Sequence, residues 1–359
     1  MDPAKLDKGA LTTQQRIDGA IKMTAPGTAL RVALDMIIAG HLGALICVGD
    51  TENVLAAGDD GFAMDVSFTA NRLFELCKMD GAVIIDKDLT KILRANYHLN
   101  PDPSLPATET GTRHRTAARM SLLTKAMVIS VSERRSVVNV YVDGCGYQLR
   151  PAAEIMSTVN QLTAAMQNTR SQLDRSLQHL TSLELDNFVT LGDITNIFYL
   201  FEVLMSAGDE LDRCIVQLGT SGRITEMQRE EFLGDMDEAY NLMIRDYARD
   251  SSEEHARAIR KQFHEMANPQ LRSPKVVARI LGYDEDYGED TIMTPLGLRT
   301  LSRVSVVREG MADKIVDEYG SLQEILEAAE DDSSKLGEIG VRNPDALANS
   351  LHRMWGQSE

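Results

Sequence analysis

The chain has 359 residues, of which 43% are hydrophobic and 25% are charged, a composition typical of a globular protein with two or three domains. Its formal net charge of −17 excludes a protein held on nucleic acid or membrane by bulk positive charge. We expect no membrane span and no signal peptide, because no apolar run has the required length and residues 1–20 are polar. The four cysteines have no metal-ligand spacing, which favours reduced thiols in a cytoplasmic protein.

Residues 1–150 mix strand and helix signals. An amphipathic helix is predicted over FTANRLFELCKM (68–79), because its apolar residues recur at helical spacing. Alternation of strand and helix favours an α/β or α+β domain. The predicted strands are short, β-rich and mostly bounded by glycine or charge: GALICVG (43–49), GAVIID (81–86), KAMVISVS (125–132) and SVVNVYV (136–142).

Residues 151–285 are predicted to form an all-helical region. Further helices are expected over Asp193–Met205 and Glu226–Tyr247. The first part carries a heptad-like apolar stripe, formed by Ile155, Val159, Leu162, Met166, Leu173, Leu177, Leu180 and Leu183. The periodicity alone favours a bundle with a buried stripe and leaves an oligomerisation coil open.

Residues 295–359 are predicted to form a small helical module after an acidic linker, DEDYGEDTIMT (284–294). A short helix is expected over Ser321–Glu330, with Ser321 in its N-cap region. The segment LGEIG (336–340) then leads into another helix around Asp345–Met354.

A basic segment, residues 111–135, contrasts with the acidic chain because it holds six cations and one acid. Its first cations follow the sequence ATETG, and we expect them in a polar loop ahead of a helix that starts near Thr116. Guanidinium groups, hydroxyls, backbone N–H groups and a helix N-terminus all suit phosphate oxygens. The alternative is a solvated loop whose cations pair with surface carboxylates.

A second candidate feature is KMDGA (78–82), at the junction of the predicted helix and a buried strand. Asp80 offers a hard oxygen ligand for a divalent metal, although a turn aspartate that bonds its own backbone is the alternative. The proline-rich segment NYHLNPDPSLP (96–106) is expected to wall off a base. With the basic segment, these features make a nucleoside triphosphate site plausible, whereas P-loop, Rossmann, zincin and α/β-hydrolase motifs are absent from the sequence.

At these residues the sequence strongly resembles the DNA integrity scanning protein family of bacterial diadenylate cyclases. The matching strings are RLFELCKMDGAVIID (72–86), ANYHLNPDPSLPATETGTRHRTAARM (95–120) and ISVSERR (129–135). The resemblance implies a mixed-sheet α/β cyclase domain (1–150), an all-helical spine (151–285) and a C-terminal helix-hairpin-helix domain (286–359). In this α+β/α multi-domain plan the spine takes part in assembly of a homo-octamer. The resemblance therefore favours an oligomerisation role for the spine, whereas the periodicity alone favoured a bundle with a buried stripe.

The resemblance also implies a reaction and its residues. Two ATP molecules, bound in facing domains, would form cyclic di-AMP and release two pyrophosphates. Asp80 would hold Mg²⁺ or Mn²⁺ and help orient or deprotonate the 3′-hydroxyl, with Arg113 and His114 as further catalytic residues. The implied ATP-binding residues are Gly81, Leu99, Thr112, Arg113, His114, Arg115, Thr116, Ser132 and Arg134.

The C-terminal module would bind branched double-stranded DNA through backbone N–H groups at Ile339 and Gly340. Glu338 stands where such hairpins carry their first glycine, and Pro344 stands where a small helical residue is usual. Residues 270–359 hold ten cations and seventeen acids, which oppose phosphate approach. A degenerate module kept for assembly is the alternative.

Two rival functions remain open on the sequence. One is a DNA-junction sensor in which ATP acts only as a conformational switch, and the other is a structural oligomer with a dead cyclase site. The intact D-G-A (80–82) and R-H-R-T (113–116) strings argue against both, since a decayed site should lose such demanding residues.

Overall fold

The computed structural model describes residues 12–355 except 267, 285, 309 and 332. The prediction of no signal peptide used residues 1–20. Residues 1–11 of that segment lie outside the described residues. The chain divides into two compact units, Met1–Val159 with Asp212–Glu226, and Asn160–Leu211 with Met227–Glu359. The boundaries predicted at 150 and 285 stay predictions. Within the described part, no helix is both long and apolar enough to cross a membrane.

The first unit is built on a mixed sheet, as predicted. In the described chain it has eight strands in the order β2-β5-β4-β1-β6-β7-β8, with β3 also paired to β5. The β1–β4 pair is parallel and the other pairs are antiparallel. The strands are β1 (Ala44–Val48), β2 (Gly58–Asp59), β3 (Phe62–Ser67), β4 (Ala82–Ile85), β5 (Lys91–Leu99), β6 (Met127–Ser132), β7 (Val137–Val142) and β8 (Cys145–Leu149).

Helices cover both faces of this sheet, which explains the continuous apolar runs of its central strands. In β1, Ala44, Ile46 and Val48 belong to one core cluster and Leu45 and Cys47 to the other, because successive side chains alternate between faces. The helices of this part are α1 (Thr13–Met23), α2 (Ala29–Ala39), α3 (Thr51–Ala56), α4 (Ala70–Leu76) and α5 (Thr112–Leu123). Residues of α1, α2 and α4 share the first cluster, and those of α3 and α5 share the second.

The four predicted strands and the predicted helix at α4 are confirmed, whereas β2, β3, β5 and β8 were not predicted. Strand β5 matters most for the site. The segment 96–106 was expected to enclose a base, but its first four residues, Asn96 to Leu99, belong to this strand. Polar and charged residues interrupt β5, so its alternation is weak in the sequence; only Ile92, Ala95 and Tyr97 of this strand are buried.

The remaining described segments are helical. They are α6 (Ala152–Leu185), α7 (Leu191–Leu218), a 3₁₀ turn (Gly219–Gly222), α8 (Arg223–Leu233), α9 (Met236–Tyr247), α10 (Glu253–His264), α11 (Asn268–Leu271), α12 (Pro274–Ile280), α13 (Leu298–Ser302), α14 (Met311–Tyr319), α15 (Leu322–Asp331), α16 (Ser334–Glu338) and α17 (Pro344–Trp355). The prediction of one helix over Glu226–Tyr247 was wrong, because the backbone breaks at Gly234 and Asp235 between α8 and α9.

The apolar stripe of α6 is buried by the chain itself. Ile155, Val159, Met166, Leu173 and Leu180 are each no more than 2% exposed, and they recur at spacings of four and seven. The stripe therefore serves packing within one chain, as expected for a bundle. A role of α6 in assembly stays a prediction.

The C-terminal helices close over their own apolar cluster. Leu298, Ile315, Leu322, Leu336 and Leu347 are among its buried members. The predicted helix start at Ser321 is confirmed, since its hydroxyl accepts a hydrogen bond from the Glu324 N–H at 3.3 Å. The predicted last helix is α17.

Candidate functional site

A cavity of about 760 Å³ lies in the first unit, where β5, the start of α5 and the β6–β7 turn meet. Eight of the residues proposed for nucleotide binding line it, together with residues that the sequence did not single out. The proposed residues in its wall are Gly81, Leu99, Thr112, Arg113, His114, Thr116, Ser132 and Arg134. The structure therefore brings together three strings that are far apart in the chain.

The start of α5 forms one wall of the cavity. The helix begins at Thr112 and not near Thr116, so the R-H-R-T string occupies its first turns and the prediction of a cationic loop was wrong. Gly111 is the extended N-cap residue, and its carbonyl already accepts the Arg115 N–H at 2.9 Å. Glycine offers no side-chain cap, so the first N–H groups of this twelve-residue helix and its positive dipole end face the cavity.

Arg113 reaches from this first turn toward the start of β1. Its guanidinium lies against Gly43, where any Cβ atom would overlap it. The same guanidinium lowers the pKa of Cys77, although burial dominates and raises that pKa to about 12. The missing side chain at Gly43 thus makes room for the cation, a steric role that the sequence analysis did not identify.

His114 is held by two side chains of β7. Its Nδ1 lies 3.1 Å from the Tyr141 hydroxyl and 3.3 Å from Asn139 Nδ2. Burial lowers the pKa of His114, and Arg113 lowers it further, while Glu109 opposes the shift. Burial and the neighbouring arginines thus favour the neutral form of this ring.

Two proposed residues are outside the cavity wall as the structure describes it. Arg115 is exposed on α5, and Asp80 is exposed in the turn before β4. The Asp80 backbone carbonyl accepts a hydrogen bond from Asn96 Nδ2 at 2.8 Å, which ties this turn to β5. The carboxylate is thus presented to solvent beside the cavity.

Gly81 has a steric role at the start of β4. Its φ is +85°, and a Cβ atom there would approach the Asn96 carbonyl carbon to 2.8 Å and the Tyr97 nitrogen to 2.9 Å. Strand β5 therefore requires glycine at this position. Gly81 also lines the cavity, and its contact with a nucleotide stays a prediction.

Several cavity residues were missed by the sequence analysis. Glu109 and Arg135 lie within the quoted strings but were given no role, Asn139 on β7 also lines the cavity, and Tyr141 lies behind it on the same face of β7. The spacing of two residues in a predicted strand was the available signal for the last pair. Arg119, counted among the basic residues, instead donates from Nε to the Leu105 carbonyl at 2.9 Å and supports the loop before α5.

The residues around the cavity are suited to a divalent metal ion that is bound jointly by the protein and by the phosphates of the substrate. Among the described residues, no group of three His, Cys, Asp or Glu side chains is arranged as a complete metal site. Mg²⁺ is commonly bound by one or two carboxylates together with substrate phosphates and water. The single exposed carboxylate of Asp80 beside a cavity with cationic walls suits that type of site.

The C-terminal segment proposed for DNA binding forms a tight turn between α16 and α17. Gly340 has a φ of +98°, and its N–H donates to the Gly337 carbonyl at 3.0 Å. Ile339 caps α16, and Glu338 is exposed immediately before it. The geometry matches a short hairpin, and the wider sequence of residues 270–359 around it is acidic.

Comparison with known proteins extends over nearly the whole chain. Residues 31–145 match the family model described as DisA bacterial checkpoint controller nucleotide-binding, and residues 149–289 match the DisA bacterial checkpoint controller linker region. The DNA integrity scanning protein DisA of Symbiobacterium thermophilum is 39% identical over 93% of this chain and 94% of its own. Its counterpart from Corynebacterium glutamicum is 38% identical over 94% and 93%.

Proposed function

Because the chain belongs to the DNA integrity scanning protein family and is a diadenylate cyclase, we propose that it condenses two ATP molecules into cyclic di-AMP across facing active sites of a homo-oligomer. Each 3′-oxygen forms a bond to the α-phosphorus of the other ATP, and each α–β phosphoanhydride bond breaks to release pyrophosphate. The observation that carries this proposal is the cavity that gathers the R-H-R-T turn, Leu99 and the S-E-R-R turn.

The triphosphate occupies the cavity wall formed by α5 and the β6–β7 turn. Backbone N–H groups at Thr112 and Arg113, with the dipole of α5, bind phosphate oxygens. The guanidinium groups of Arg113 and Arg134 neutralise the charge that grows on the leaving pyrophosphate. Leu99, at the end of β5, offers backbone groups to the adenine edge, and Thr116 and Ser132 add hydroxyl donors.

Asp80 acts on the nucleophile. Its exposed carboxylate, beside the cavity, is suited to accept the proton of a 3′-hydroxyl that arrives from a second nucleotide. When Mg²⁺ or Mn²⁺ is bound, held by Asp80 and phosphate oxygens, it supplies charge neutralisation and lowers the pKa of that hydroxyl. The chain's own contribution is therefore positioning and electrostatic stabilisation, which phosphoryl transfer chiefly requires.

The test is incubation of the full chain with ATP and Mn²⁺, with products separated by chromatography. Cyclic di-AMP and two equivalents of pyrophosphate are expected. ATP binding without product contradicts the cyclase proposal and favours the DNA-junction sensor with ATP as a switch. Neither binding nor product favours the structural oligomer.

Facing sites make turnover depend on assembly, for which we propose a homo-octamer. A lone domain binds ATP but holds no second nucleotide in line. Specific activity should fall on dilution in parallel with the oligomer mass measured by light scattering. Constant activity per chain in a sample that is monomeric by light scattering contradicts the facing arrangement.

We assign branched DNA to the turn at Ile339 and Gly340. Gly340 is exposed in this turn, which supports the assignment, and its N–H would exchange the Gly337 carbonyl for a phosphate oxygen. A gel shift at low salt should show a branched duplex bound more tightly than a linear one. No shift of either DNA favours a module kept for assembly.

A further inference from the structure

We propose that Tyr141 and Asn139 are positioning residues that fix His114 as a neutral ring donating from Nε2 to the triphosphate. The inference rests on the proposed function, since the donor is useful only if phosphate oxygens occupy the cavity. Neither residue belongs to the strings that carry the family resemblance, and both lie on a strand whose sequence suggests only a structural role.

The geometry starts from β7. Tyr141 and Asn139 are two residues apart, so they project from the same face of the sheet, toward α5. Val138, Val140 and Val142 project from the other face into a separate core cluster. Tyr141 is fully buried, and its hydroxyl contacts His114, which lines the cavity.

Both side chains converge on one atom of His114. The Tyr141 oxygen and the Asn139 amide nitrogen lie 3.1 Å and 3.3 Å from Nδ1, and the two rings meet edge to face with centroids 6.3 Å apart. An amide NH₂ group is a donor, so the accepting lone pair must be on Nδ1. In a neutral imidazole the proton is then on Nε2.

The charges around the ring support the neutral form. Glu109 precedes α5, Arg113 is on α5 and Arg135 is in the β6–β7 turn; the first raises the pKa of His114, and the two arginines lower it. Burial is the largest cause and lowers the pKa. Burial and then Glu109, by its charge and by a hydrogen bond with the hydroxyl, raise the pKa of Tyr141, so this hydroxyl stays protonated, and the assignment of the Nδ1 lone pair rests on the Asn139 amide donor.

A neutral His114 ring, held in one orientation, can bind phosphate differently from the two arginines beside it. It gives a phosphate oxygen a directed hydrogen bond without adding charge that would hold the pyrophosphate product. Because the negative charge on the leaving group grows in the transition state, this bond strengthens there and contributes to kcat more than to KM.

The test compares Tyr141→Phe and Asn139→Ala with the wild-type chain. We expect Tyr141→Phe to lower kcat by about tenfold, equal to about 1.4 kcal/mol, with KM changed by less than about twofold. Asn139→Ala should lower kcat less, because its contact is longer. The control is Tyr147→Phe on β8: Tyr147 pairs with Val140 and so points to the opposite face of the sheet.

A double-mutant cycle separates positioning from a structural effect. In a His114→Ala background, Tyr141→Phe should change kcat by no more than about twofold, because the group on which it acts is gone. An equal loss in both backgrounds overturns the proposal, as does wild-type kcat in the single variant. If the wild-type chain makes no cyclic di-AMP, the proposed function itself fails, which is a different result.

Discussion

Two turns of this molecule are candidate phosphate sites, and they differ in their backbone N–H groups and in the charge around them. At the start of α5, Gly111 precedes a turn flanked by Arg113 and the arginines of the β6–β7 turn. At the C-terminal hairpin, Gly340 follows the exposed carboxylate of Glu338. The first N–H groups of α5 have no intrahelical acceptor, whereas the Gly340 N–H donates to the Gly337 carbonyl at 3.0 Å, and the neighbouring side chains add to this difference.

The comparison teaches that a phosphate site needs charge as well as geometry. The first turn combines its own cation with those of a second chain segment around one cavity. The second turn lies on the surface of a unit whose nearby sequence is acidic, and its neighbouring cations, Lys335 and Arg342, are outnumbered by carboxylates between residues 324 and 345. We therefore expect nucleotide binding to tolerate salt better than DNA binding does.

The largest expected effect concerns the chemistry beside the first turn. Asp80→Asn should lower cyclic di-AMP synthesis by at least about a hundredfold, because the amide cannot take a proton or hold a metal as a carboxylate does. The measurement is product formation by chromatography. Asp88→Asn, an exposed aspartate in the turn after β4, is the matched control and should be active. Near wild-type synthesis by Asp80→Asn contradicts the assigned role.

A second pair of variants compares one positive-φ glycine from each unit. Gly81→Ala combines an unfavourable backbone conformation with overlap of the β5 backbone, and should reduce the free energy of unfolding by about 2–4 kcal/mol. Gly310→Ala has a φ of +73° and open space, and should cost only about 1 kcal/mol. Urea denaturation followed by circular dichroism measures both. Equal losses would mean that contact with β5 does not constrain Gly81.

A third prediction concerns Arg113, the cation of the first turn, which a substitution at a neighbouring position should displace while the arginine itself is kept. Gly43→Ala should push the Arg113 guanidinium from its place and reduce synthesis by about tenfold, with little change in melting temperature because a side-chain end can move. Gly19→Ala in α1, where a Cβ atom meets open space, should leave synthesis unchanged. Full activity of Gly43→Ala would show that the position of Arg113 is not critical.

The smallest effect tests whether the second turn can be made like the first. Glu338→Lys replaces a carboxylate beside Gly340 by a cation, and should tighten binding of branched DNA by about threefold to tenfold at low salt and steepen its salt dependence. Glu327→Lys makes the same charge change on α15, away from the turn, and should have a weaker effect. Gel shifts at two salt concentrations provide the measurement. Equal effects of both variants would mean that only net charge matters.

Much of the fold was accessible from the sequence where patterns were strong. The apolar runs of β1, β4, β6 and β7 predicted strands, because strands buried on both faces lack polar interruptions. The stripe of α6 predicted a long helix with a buried side. Strand β5 and the break between α8 and α9 were missed, since polar residues weaken a period of two and a single glycine is a weak helix breaker.

The candidate site was predicted in composition but not in arrangement. The D-G-A and R-H-R-T strings identified the residues, and the family resemblance assigned them to ATP. The sequence did not show that the R-H-R-T string is helical or that Asp80 is exposed. It also did not show why glycine is needed at position 81. Each depends on a partner distant in the sequence, such as β5 for Gly81.

The sequence by itself determined the chemistry available to this protein: a few cations and one acid in an otherwise acidic chain, set between segments that must be buried. Tertiary structure alone decided which of those groups meet. Only the folded domain places Gly43 against Arg113 and Tyr141 against His114, because such contacts join residues separated by tens of positions and leave no periodic signal. Local patterns report the hydrophobic effect, whereas a site depends on where the folded chain brings its few polar groups together.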